Sequence, residues 1–133
     1  MGRIEKFEDI ESWKAAREAT KMVYEISSNG NFAKDFGLCN QMRRAAVSVL
    51  SNIAEGFERG GNKEFLQFLA VAKGSCGEVR AQLYVALDQS YLDEARFQEI
   101  AAKLSETSRL ISGLMKYLRQ SEFRGDKFRQ TSR

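Results

Sequence analysis

The chain contains no histidine and no proline in 133 residues, and only two cysteines. Lacking histidine, it has no usual general base, no Ser-His or Cys-His nucleophile pair and no Glu-x-x-His di-iron pattern of helical bundles. Its carboxylates form no Asp-rich cluster of the kind that holds Mg²⁺. No catalytic residue, metal site or cofactor is therefore assigned, and a non-enzymatic protein is expected. The absence of proline favours long uninterrupted helices, and the glycines fall mostly between periodic segments. Cys39 and Cys76 belong to no CxxC or Cys/His grouping, and Cys76 lies on an apolar stripe, so both read as small structural hydrophobes. No apolar run approaches the roughly 18 residues of a membrane span, and MGRIEKFEDIESW has no apolar signal core. The expectation is a cytoplasmic protein with no membrane partner.

What is present is helical periodicity. A first helix is predicted from about Ile10 to Ser27, with Trp13, Ala16, Ala19, Val23 and Ile26 facing inward. Asn29-Gly30-Asn31 ends it, and Phe32 and Phe36 read as plugs for the end of the core. A second helix runs from about Leu38 to Phe57 on a stripe of Met42, Ala45, Ala46, Val49 and Ile53, and stops at Gly60-Gly61. Asn62 reads as the cap of a third helix reaching about Gln89. That helix has the most sustained stripe in the chain: Phe65, Phe68, Leu69, Ala72, Cys76, Val79, Leu83, Ala86 and Leu87. Asp93 caps a fourth helix carrying Phe97, Ile100, Ala101, Leu104, Ile111, Leu114, Met115 and Leu118. No alternating strand pattern competes. The fold class expected is all-α, an antiparallel up-down-up-down four-helix bundle over residues 1–120, followed by a basic, flexible tail over residues 121–133.

The segment from Gln41 to Glu78 also carries polar residues that a plain amphipathic helix does not need. Gln41, Arg44, Ser48, Ser51, Asn52 and Glu55 fall within about a third of one helix circumference. With Ser75, Glu78 and Gln82 of the third helix they form a candidate polar network, in which Arg44 pairs with Glu55 or Glu78 while Asn52 and Ser75 satisfy remaining donors. A buried specificity device is the leading reading, and a ligand site in the same place is the alternative. A second stripe, Ala70, Gly74, Gly77 and Ala81, recurs at i, i+4, i+7 and i+11. Each mid-helix glycine costs about 1 kcal/mol relative to alanine. Close packing within the bundle or a contact with another subunit would offset that cost.

Gln41-Met42-Arg43-Arg44-Ala45-Ala46, Ser48, Asn52-Ile53-Ala54-Glu55-Gly56, Glu64-Phe65, Phe68-Leu69 and Ala72-Lys73-Gly74-Ser75 with Glu78 resemble one family. It is the small bacterial four-helix-bundle family named after the protein encoded in intervening sequences of 23S ribosomal RNA genes. Phe7, Trp13, Lys14 and Ala16 add a weaker match, and the resemblance spans roughly Phe7 to Leu118. It departs at Leu50, where many relatives carry a proline. The resemblance implies a ring-like homopentamer of antiparallel bundles and no established activity. Members related to it include accessory proteins of diversity-generating retroelements, which bind nucleic acid and a reverse transcriptase.

Charge is uneven along the chain. Residues 119–133 hold five of the 21 basic side chains and two of the 18 acidic ones, which leaves the rest neutral. A basic tail containing Arg124, Lys127, Arg129 and Arg133 is either a solubilising terminus or an electrostatic arm for RNA or DNA. Two classes of function follow. One is an oligomeric nucleic-acid-binding or reverse-transcriptase accessory protein presenting Arg43, Lys63, Lys73, Arg80 and the tails to a phosphate backbone. The other is a structural or protein-interaction scaffold with no nucleic-acid role.

Overall fold

A computed structural model describes the backbone of residues 4–132 and the side chains of residues 4–121. A 3₁₀ turn at Phe7–Asp9 precedes α1 (Glu11–Ser27), α2 (Gly30–Lys34), α3 (Phe36–Glu58), α4 (Asn62–Asp88) and α5 (Glu94–Ser132). No strand occurs among the described residues. Arg124, Lys127, Arg129 and Arg133 of the expected tail lie outside the residues whose side chains are described.

Four long helices close a cycle in which α3 packs on α1 and α4, and α5 packs on α4 and α1. The periodic stripes explain why. Val23, Met42, Ile53, Leu69, Cys76, Val79, Leu83, Ile100 and Ile111 are fully buried, one group from each helix, and they meet in a single core. Burying each large aliphatic side chain contributes about 1.5–3 kcal/mol. Two of the three buried polar side chains find backbone partners, while the Ser12 hydroxyl has none among the described residues. Thr107 donates to the Lys103 carbonyl at 2.8 Å and Ser27 to the Val23 carbonyl at 2.7 Å. The Cys76 Sγ approaches the Leu104 carbonyl at 3.2 Å, and burial pushes its thiol above the ordinary range, with Arg80 pulling less strongly the other way.

Connections depart from the sequence reading at three points. The segment after α1 is not a plain loop but the short helix α2, opened by Gly30 at φ +61°. Its Phe32 is buried as expected, whereas Phe36 starts α3 and is 80% exposed, so only one of the two aromatics plugs the core. At the next turn Gly60 takes φ +85°, the cap of α4 is Gly61, and Asn62 instead reaches across to the Leu118 carbonyl at 3.4 Å. Asp93 caps α5 as expected, accepting from the Arg96 amide at 2.8 Å.

Candidate functional site

The outer face of α4 is built by the same periodicity that builds its core face. Residues buried at Phe65, Leu69, Ala72, Cys76, Val79 and Leu83 leave Ala70, Gly74, Gly77 and Ala81 turned outward, and all four are exposed. A methyl group added at Gly74 or Gly77 would meet nothing within 4 Å. Close packing among the described residues therefore does not account for these glycines. Val71, Tyr84 and Val85 are also exposed, which widens the stripe into an apolar face. Lys63, Lys73 and Arg80 are exposed on the same helix.

The glycine that allows close helix approach is Gly56, in the last turns of α3. A Cβ there would lie 2.6 Å from the Phe68 Cβ and 3.0 Å from a Phe65 ring carbon. Its sequence signal was present in the Asn-Ile-Ala-Glu-Gly segment, but nothing in periodicity separates a contact glycine from a helix-ending one.

The polar constellation across α3 and α4 is only partly assembled. Ser48 Oγ lies 2.9 Å from Ser75 Oγ, and the Asn52 amide donates to the Ser48 carbonyl at 2.8 Å and to its Oγ at 3.0 Å. Glu55 turns instead to Arg59 at 3.2 Å, a half-exposed pair of the kind that contributes about 0–1 kcal/mol. Arg44 is exposed and pairs with neither Glu55 nor Glu78 among the described residues. Gln82 reaches Gln41 and Glu78 only at 3.5 Å each. A shallow groove of about 300 Å³ lies between Gln41, Arg44, Ala45, Ser48, Ser75 and Glu78.

Among the sequence-predicted cations whose side chains are described, Arg43 is the one that hydrogen bonds hold in place. Its Nε donates to Ser27 Oγ at 2.9 Å, one Nη donates to Ser28 Oγ at 3.2 Å, and its guanidinium stacks 4.6 Å from the Tyr24 ring centre. Near it a second depression, of about 490 Å³, is lined by Ser27, Ser28, Ala33, Phe36, Cys39, Asn40 and Arg43. The described residues include no cluster of three or more His, Cys, Asp or Glu able to hold a metal ion, and no helix long and apolar enough to cross a membrane.

The described residues define a small all-helical protein. The family profile described as 23S rRNA-intervening sequence protein matches residues 8–113. The chain belongs to that family. A crystal structure of a protein of unknown function from the S23 ribosomal protein family, from Bacteroides thetaiotaomicron, shares the fold. Its TM-score is 0.72, with 21% sequence identity, over 79% of this chain and 95% of that one. No curated protein matches the chain.

Proposed function

We propose that this protein is a non-catalytic, oligomeric four-helix bundle of up-down-up-down topology that binds nucleic acid or serves as an accessory to a reverse transcriptase. The observation that carries the reading is the free face of α4. Two mid-helix glycines there cost about 1 kcal/mol each relative to alanine, and no described residue of the chain uses the space they leave. A second copy seated on the small-residue face recovers that cost through close backbone approach. A ring of five copies, the number implied by the family resemblance, repeats Lys63, Lys73, Arg80 and the basic terminus around one axis. Repetition turns a weakly cationic surface into an effective phosphate-binding one.

The scaffold reading is the alternative, and one fact favours it: residues 1–118 carry as many acidic as basic side chains. Two measurements separate the readings. Light scattering at micromolar concentration gives the subunit number, and Gly74→Leu should lower it while leaving helix content intact, since the added side chain meets open space in the single subunit. A salt titration of RNA and DNA binding then decides between nucleic acid and scaffold.

A further inference from the structure

We propose that the outer face shared by α1 and α3 is a stacking site for an unpaired nucleic-acid strand, with Phe36 as the base platform and Arg43 as the phosphate hook. The inference rests on the nucleic-acid reading above and locates it on a surface away from the α4 stripe.

Among the described residues Phe36 is the most exposed of the large hydrophobic side chains, at 80%. It is nevertheless held rigidly at its backbone. The preceding residue, Asp35, accepts from the Leu38 amide at 3.2 Å as the cap of α3 and from the Tyr91 hydroxyl at 2.8 Å. The Tyr91 ring stacks on buried Phe32 with centroids 5.0 Å apart, and the Cys39 Sγ approaches the Phe32 carbonyl at 3.0 Å. An aromatic ring presented to water on a fixed base is what a nucleobase needs for stacking, because little order has to be gained on binding.

Asn40 and Arg43 follow Phe36 at i+4 and i+7, so the three share one stripe of α3. All three line the same depression of about 490 Å³, with Ser28 on its rim. That volume lies within the range of small-ligand sites. Arg43 spends one Nε and one Nη hydrogen bond on Ser27 and Ser28 and stacks on Tyr24. Its remaining N–H donors are oriented by those contacts and are unused among the described residues. An amide at Asn40 offers both a donor and an acceptor to a base edge.

The charge of the face fits a polyanion. Thr20 of α1 touches the Ala46 carbonyl of α3 at 3.3 Å, which marks where the two helices meet. Arg17 and Tyr24 flank Thr20 along α1, Lys21 follows Arg17 at i+4, and Arg17 packs over the Trp13 ring at 5.8 Å. Of the nearby carboxylates three are engaged elsewhere, and exposed Glu18, three residues before Lys21 on α1, balances that lysine and leaves Arg17 and Arg43 as the cations of the face. Glu25 meets Arg96 of α5 at 2.8 Å, Glu11 meets Lys14 at 3.2 Å, and Asp35 is occupied by Tyr91. The face thus alternates cations with aromatic rings, the pattern that tracks a single strand without reading its sequence.

The test uses the full-length protein with short labelled oligo(dT) and oligo(U), and a duplex of the same length. Phe36→Ala should weaken single-strand binding by about 5- to 150-fold, the range for loss of one aromatic stacking contact. Its salt slope should not change, since no charge is removed, and duplex binding should fall less than twofold. Phe36→Trp should restore single-strand affinity. Arg43→Gln should make the slope of log K against log salt shallower by about one. Oligo(dT) and oligo(U) should respond alike. If the wild type binds and Phe36→Ala binds single strands equally well, this inference falls and the nucleic-acid reading stands. If the wild type binds no oligonucleotide, both fall. A drop in assembly mass for Phe36→Ala would make the face a contact between copies and overturn the inference.

Discussion

The Tyr91 hydroxyl donates to an Asp35 carboxylate oxygen at 2.8 Å and so ties the turn between α4 and α5 to the cap of α3, 56 residues earlier in the chain. Hydrogen bonding to Asp35, followed by burial, raises the Tyr91 pKa above its ordinary value. A pKa raised in the folded state means that stability is fully present below the unfolded value, about 10, and is lost as pH climbs through the folded value. Tyr91→Phe should therefore melt earlier than the wild type at neutral pH, with the gap closing in strongly alkaline solution. Thermal melts at neutral pH and above pH about 10 check this, and a gap that widens with pH would contradict it.

Gly56 and Gly74 should respond oppositely to the same substitution. Gly56→Ala places a Cβ 2.6 Å from the Phe68 Cβ, an atom whose position is fixed by its bond to the backbone, so overpacking should cost about 1–3 kcal/mol. Gly74→Ala meets no atom and improves helix propensity, so it should stabilise an isolated subunit by up to about 1 kcal/mol. Denaturant unfolding of both variants distinguishes them. Equal effects would contradict the assigned helix packing.

Ile53→Ala and Leu69→Ala each empty a fully buried site shared by several helices. The expected cost is about 2–5 kcal/mol apiece. A loss below about 0.5 kcal/mol at both positions would contradict the core.

Asn52→Ala removes the donor that meets both the carbonyl and the hydroxyl of Ser48. A part-buried bond of this kind should cost about 1 kcal/mol, measured by the same unfolding experiment. Glu55→Ala should cost less, because its partner Arg59 is half exposed and also reaches Glu64 at 3.7 Å.

The long helices were legible because their apolar stripes are sustained over many turns, so Leu69, Cys76 and Leu83 of α4 could be phased without ambiguity. Helix α2 was not, since Gly30–Lys34 is too short to show a period. Phe32 and Phe36 sit four apart and read alike as core aromatics. Only the start of α3 between them, fixed by the Asp35 cap, turns one ring in and the other out. Gln41, Arg44 and Ser48 of α3 line one groove with Ser75 and Glu78, but sequence spacing does not say which partner a carboxylate chooses. Glu55 takes Arg59 on its own helix, and Arg44 is left exposed. The small-residue stripe of α4 was visible as spacing, while its exposure depended on which stripe the other helices covered.

The most direct test of the central claim is a salt titration of oligonucleotide binding by the full-length wild type, with assembly mass followed in the same buffers. The expected result is an oligomer that binds at about 0.1 M salt, with log K falling linearly as log salt rises. An oligomer that binds neither RNA nor DNA under those conditions would contradict the nucleic-acid role.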